Sequence, residues 1–277
     1  MTKSPPKVMT FSATDPSGGA GLQADVLTIS SLGCHPVSIA TGFTVQDTIG
    51  VEKLISMDSE LVNDQARSIL EDMEITIFKL GLLGSKENIA TIAEIISDYP
   101  DIPFIIDPVL SSGRGDEFAD IETKNIMMEL LFPGSLLITP NSLEARQLLS
   151  NEEEDLDLTL EKCAKYFKEI GCQNILITGT HENTKNVINT LYSASNQIIP
   201  YHWDRLSGNY HGSGCTLTAA ISAYYALGLS IDEAIEEAQH FTWQTLKNAF
   251  KPGMGQLIPN RFFRSTDIED DGKFTHH

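Results

Sequence analysis

The chain has 277 residues, 41% of them hydrophobic, enough to bury a large core within one α/β unit. Its 19 basic and 38 acidic residues give a formal charge of -19, which argues against a nucleic-acid or anionic-membrane partner but leaves open a local anion site built from backbone amides. Four cysteines, Cys34, Cys163, Cys172 and Cys215, lie far apart with no CxxC pair, so neither a zinc ribbon nor a disulfide framework is expected and a reducing, cytoplasmic setting is the simplest expectation. No stretch resembles a signal peptide, and none approaches the roughly 20 apolar residues of a membrane span.

In chain order, short apolar runs alternate with amphipathic segments. "KVMTFSA" at 7–13, "VSIATGFTV" at 37–45, "IFKLGLL" at 77–83, "FIIDPVL" at 104–110, "SLLITP" at 135–140 and "NILITG" at 174–179 read as strands. "GLQADVLTISSLG" reads as a helix closed at Gly33, "SLEARQLL" as one starting after Asn141, and "SIDEAIEEAQHFTWQTLKNAF" as one capped by Ser230. Strands alternating with helices predict a mostly parallel sheet covered on both faces. The acidic run at 151–163 is expected to be a solvated loop leading into a helix. One domain is expected over 1–264, with a polar, loosely ordered tail over 265–277.

In an open parallel sheet, ligands collect where strand ends lead into helix N-termini. At 13–25, "ATDPSGGAGLQAD" carries Gly18, Gly19 and Gly21, which either admit a ligand to the backbone or simply make a tight turn. Gln46 in "TVQDT" offers a donor and an acceptor side by side, suited to an aminopyrimidine edge or to an exposed turn. Asp107 ends "FIID", while Asn141 and Glu144 sit at a strand-to-helix junction. Such oxygen ligands suit Mg2+ sharing water and phosphate, although Asn141 alone also reads as a helix N-cap. "HGSGCT" at 211–216 aims the amides of Gly212, Ser213, Gly214 and Cys215 at a helix start, the pattern of an oxyanion or phosphate cradle. Cys215 in that field is expected to have a lowered pKa and to accept a proton from an alcohol; the alternative is a small buried apolar residue.

Together, "DPSGGAGLQAD", "TVQDT", "KLGLL", "DPVL", "TPNSLEA" and "HGSGCTLTAAI" resemble the ribokinase-like superfamily in order and spacing. They look most like its hydroxymethylpyrimidine/phosphomethylpyrimidine kinase branch of thiamine biosynthesis, over roughly residues 8–256. The resemblance implies a single α/β domain that uses ATP and Mg2+ to phosphorylate 4-amino-5-hydroxymethyl-2-methylpyrimidine and then its monophosphate, as a homodimer. By position, Cys215 stands where many sugar kinases of the superfamily have an aspartate base, and Gly212, Ser213 and Gly214 form the anion hole. Gln46 matches the pyrimidine reader, and Asp15 and Gly19 lie in the substrate loop. Asp107 and Glu144 match the metal and triphosphate positions, with Asn141, Thr178 and Gly179 on the nucleotide side.

Two departures stand out. The family commonly reads "VKGGH" where this chain has Ile177 to His181, and "TKNTHGTGC" where it has Ser207 to Cys215. Thr178 and Gly208 thus replace lysines, and Arg114, in the expected flap "SSGRGDEF", is the candidate substitute cation. Alternatives to the pyrimidine kinase are a pyridoxal kinase and a pyrimidine-binding protein with little turnover.

Overall fold

The apolar runs become strands whose successive side chains feed opposite faces. The computed structural model describes residues 4–111, 118–150 and 158–265. Its first half runs β1 (Lys7–Thr14), α1 (Gly21–Ser31), β2 (His35–Gln46), β3 (Val51–Ser56), α2 (Ser59–Asp72), β4 (Ile77–Leu80), α3 (Lys86–Asp98) and β5 (Phe104–Ile106). Then follow α4 (Ile121–Leu130), β6 (Leu137–Ile138), α5 (Ser142–Gln147), α6 (Leu160–Glu169) and β7 (Ile175–Ile177). The chain closes with β8 (Asn186–Tyr192), β9 (Ile198–Asp204), α7 (Ser213–Ala226) and α8 (Ile231–Lys247).

These strands form one nine-stranded sheet in the order β3-β2-β1-β4-β5-β6-β7-β8-β9. β2, β1, β4, β5, β6 and β7 are parallel, while β3, β8 and β9 add antiparallel pairs at the two edges. Met9, Phe11, Phe78, Leu80 and Ile106 point into one layer with Val62 of α2, Ile92 of α3 and Phe167 of α6. Their neighbours Val8, Ile77 and Ile105 point the other way, onto Ile29 of α1, Ile221 of α7 and Ile235 of α8. Burial on both faces is why the parallel strands read as unbroken apolar runs.

All six expected strand segments hold a parallel strand, and the expected helices begin where their caps place them. Asn141 and Ser230 each complete a capping box, with Glu144 and Glu233 respectively. Gly33 takes φ +87° just beyond α1. The antiparallel β3, β8 and β9 are additions to the sequence-derived scheme. Of the expected flap, 112–117, including Arg114, lie outside the described residues, as do 151–157 of the acidic run and 266–277 of the tail.

The parallel strands all deliver their carboxyl ends to one edge of the sheet. β1 stands between β2 and β4, so the chain switches direction across the sheet there and the connecting loops part to leave a crevice.

Candidate active site

After β1 the chain folds around the Asp15 carboxylate. Its Oδ1 accepts from the Ser17 amide at 2.8 Å, and its Oδ2 accepts from the Ala20 amide at 2.7 Å and pairs with His211 Nε2 at 2.9 Å. Burial pushes Asp15 up, but the hydrogen bonds from His211, Ser17 and Ala20 outweigh it and hold the carboxyl below its ordinary value. Asp15 therefore shapes the loop, tying 15–20 to the segment that precedes α7.

That segment turns into α7 at Gly212, the N-cap, with φ +78°. The first helical bond runs from the Thr216 amide to the Gly212 carbonyl at 3.0 Å. The amides of Ser213, Gly214 and Cys215 precede it without helical acceptors, at the positive end of a 14-residue helix. The loops meet backbone to backbone. A Cβ on Gly212 would stand 1.8 Å from the Gly19 carbonyl oxygen, and one on Gly19 would stand 2.2 Å from His211 Cδ2.

Cys215 departs from expectation. Its thiol is pushed up to about 12, by burial first and then by the Asp107 charge, against the opposing influence of Lys79. The helix terminus favours a thiolate, but removal from water beside carboxylates outweighs it. Cys215 is thus a protonated thiol at rest, under the influence of the Asp107 carboxylate and the Gly21 amide. Below it lies a fully buried ion pair, Lys79 Nζ to Asp25 Oδ2 at 3.0 Å, with Thr10 Oγ1 donating to the same oxygen at 2.5 Å. Burial opposes the Lys79 charge, but Asp25 more than compensates and raises its pKa.

Asp107 and Glu144 face one another's charge in a dry setting. Burial, ahead of all other causes, raises Asp107 to about 6 and Glu144 to about 8; the Asp107 charge adds to the shift of Glu144. Asp107 Oδ2 is buried with no hydrogen-bond partner. An orphaned oxygen beside a second buried carboxylate fits a divalent cation, which would remove both penalties. Asn141 directs its Oδ1 to the amides of Leu143 and Glu144 at 2.9 Å each, leaving its amide nitrogen for a ligand.

A cleft of about 1070 Å³ joins these groups, lined by Asp15, Gln46, Asp107, Asn141, Glu144, Thr178, Gly212, Ser213, Gly214 and Cys215. Thr44 and Gln46 reach it from the end of β2. The other expected site residues stand behind its walls. Gly19 packs on His211, whereas Gly179 gives its amide to Asn189 Oδ1 at 3.1 Å and lies so close to β8 that a Cβ would meet the Ile188 carbonyl at 2.2 Å. Gly179 therefore packs against β8 without touching the cleft.

At the far end, Asn189 Nδ2 and Trp203 Nε1 both donate to Gln239 Oε1, at 2.9 and 3.1 Å, linking β8 and β9 to α8. None of these was legible as a site residue. Lys79 carried a signal, a lysine embedded in "IFKLGLL", whereas the His211 to Asp15 contact spans 196 positions and carries none.

Comparison with known proteins bears directly on this geometry. Residues 15–260 match the phosphomethylpyrimidine kinase family. The chain belongs to that family. It is 31% identical to a hydroxymethylpyrimidine/phosphomethylpyrimidine kinase of Mycobacterium leprae, over 95% of this chain and 96% of the relative. It is also 31% identical to a thiamine biosynthesis bifunctional protein of Geobacter sulfurreducens, over 95% of this chain but only 54% of that protein, so it spans about half that relative's length.

Among solved structures, this family member is similar to a Bacillus subtilis pyridoxal kinase in complex with ADP, at TM-score 0.86 and 26% identity over 95% of this chain and 100% of the other. It is likewise similar to a Clostridium difficile phosphomethylpyrimidine kinase, at TM-score 0.75 and 28% identity over 87% and 99%. The kinase fold is therefore ribokinase-like, as the motifs implied. Among the described residues, no helix is long and apolar enough to cross a membrane.

Proposed function

We propose that the protein transfers the γ-phosphoryl group of ATP to the hydroxymethyl group of 4-amino-5-hydroxymethyl-2-methylpyrimidine, and then to the resulting monophosphate. The observation that carries this reading is the cradle of the Ser213, Gly214 and Cys215 amides opening onto the same cleft as Gln46, Asp107 and Glu144.

The pyrimidine lies with its amino edge on Gln46, whose amide has no protein partner among the described residues. Its hydroxyl oxygen attacks the γ-phosphorus, the bond to the β–γ bridging oxygen breaks, and ADP leaves. Charge on the transferring phosphoryl oxygens is met by the three amides and the α7 dipole. A divalent cation, Mg2+ in our reading, would be held by Asp107 and Glu144, and would neutralise them and screen the phosphates. Asp107 neutralised in this way would no longer repel negative charge on Cys215. The thiol first gives up its own proton to water in the cleft, and the thiolate, favoured by the Lys79 charge and the α7 dipole, then takes the hydroxyl proton late, as the attacking oxygen becomes acidic. An already ionised monophosphate has no such proton to lose.

Pyridoxal is the second reading, favoured by the pyridoxal kinase likeness and by a cleft large enough for either ring. We further propose a homodimer, because Phe43, Val45 and Ile55 are 51, 48 and 46% exposed on the outer side of the β2–β3 pair. A cytoplasmic location accords with the free thiols of Cys34, Cys163, Cys172 and Cys215.

The test is mass-resolved product formation from the hydroxymethyl pyrimidine, its monophosphate and pyridoxal, each with ATP and Mg2+. Mono- and diphosphate pyrimidine products are expected. Turnover of pyridoxal alone would establish the second reading, and tight pyrimidine binding without ATP consumption would mark a non-catalytic binding protein.

A further inference from the structure

Arg261 follows α8 and lies just beyond the residues that match the family. It is only 4% exposed and does not line the cleft. Its guanidinium nonetheless joins the two loops that build the site. Nη1 donates to the Gly18 carbonyl at 3.2 Å and Nη2 to the Gly19 carbonyl at 2.6 Å, while Nε donates to Thr216 Oγ1 at 3.1 Å. Thr216 passes the constraint on, since its hydroxyl donates to the Gly212 carbonyl at 2.8 Å. The Gly19 carbonyl that Arg261 grips is the same one that rests against the Gly212 α-carbon.

We infer that Arg261 is a positioning residue for phosphoryl transfer: it clasps the acceptor loop at Gly18 and Gly19 to the first turn of α7, and so sets the distance between the acceptor oxygen and the amide cradle. A planar fork suits this task, because two of its nitrogens serve adjacent carbonyls while the third serves the hydroxyl in a fixed geometry. Lysine keeps the charge but not the fork. Burial lowers the Arg261 pKa to about 10, which leaves it charged near neutral pH, close to where anionic phosphate would lie.

The inference rests on the proposed kinase activity for its kinetic arm only, so the test has two arms. In Arg261→Lys, hydrogen exchange at the amides of 17–20 and 213–216 is expected to speed up together, while the β4 and β5 amides keep their protection. In the same variant kcat for the hydroxymethyl pyrimidine is expected to fall about 100-fold, the cost of a misplacement near 1 Å, with KM for ATP little changed. Thr216→Val removes the Nε link together with the hydroxyl's bond to the Gly212 carbonyl, and combined with Arg261→Lys it should add less than its separate effect. Should the arginine variant fail to fold, Thr216→Val alone must still loosen both loops. Unchanged exchange in both loops, or a kcat loss matched by the unfolded fraction, overturns the inference. A wild-type protein that does not turn over would defeat the kinase reading, while the exchange arm would still decide the clasp.

Discussion

Cys215 shows how one residue's chemistry depends on groups far away in the chain. Its place in the first turn of α7 predicts an activated thiolate, and the neighbouring segment around Asp107, with the burial that packing imposes, reverses that. No sequence window contains both influences. The resulting prediction is simple. Native protein without nucleotide or metal should react slowly with a thiol reagent near neutral pH, because Cys34, Cys172 and Cys215 are raised to about 11, 12 and 12 and Cys163 is raised as well. One rapidly labelled cysteine, mapped to 215, would contradict this account of the site.

Asp15 yields a prediction of the opposite sign. Its folded pKa lies below its ordinary 3.8, so its contribution to stability is complete above the unfolded value and is lost as pH falls through the folded one. Asp15→Asn should cost about 1.5–3 kcal/mol near neutral pH, the scale of hydrogen bonds to a charged group. The stability gap to wild type should close as pH drops below 4. A gap independent of pH in denaturant titrations would show that the carboxylate charge is not what holds the loop.

At the scale of elements, α7 is the working part, and Gly212 decides how it begins. Alanine there must adopt φ +78° with its Cβ 1.8 Å from the Gly19 carbonyl oxygen. The left-handed conformation alone costs about 1–2 kcal/mol, and relieving the contact moves the cradle. Gly212→Ala should therefore lose about 10² in kcat, comparable to removing one oxyanion donor, even where a folded fraction persists. Wild-type kcat in that variant would dissociate the cradle from catalysis.

Legibility also divides by element. The parallel strands were readable because both faces are buried: β4, β5 and β7 are buried along their whole length. β9, "IIPYHWD", alternates exposed with half-buried residues and carries Pro200, while β8 includes Asn186 and Asn189. Those strands owe their existence to pairing with β7 and with each other, which local pattern does not report. The carboxyl-end loops were legible from their glycines and carboxylates, whereas Arg261, 242 positions from Gly19, gave no local signal.

Over the whole molecule, two layers on one sheet leave a single edge for chemistry, and the net charge of -19 makes that edge an exception to its surroundings. In the proposed reaction phosphates are met by amides, by the α7 dipole, and by the buried Lys79 and Arg261 behind the wall. The exposed Phe43, Val45 and Ile55 lie away from that cleft. Light scattering should report a mass near twice the 30.4 kDa of one chain, and Phe43→Ser should shift it towards the single chain.

The claim joining these scales is that one cradle serves both transfers while Cys215 is needed only to take a proton from the alcohol. The decisive measurement is the rate of each step in Cys215→Ala, with the hydroxymethyl pyrimidine and its monophosphate assayed separately against wild type. The account predicts a fall of about 10²–10⁴ for the alcohol, the span of general acid–base catalysis, with the monophosphate step close to wild type. Equal losses on both acceptors, or none on either, would contradict it.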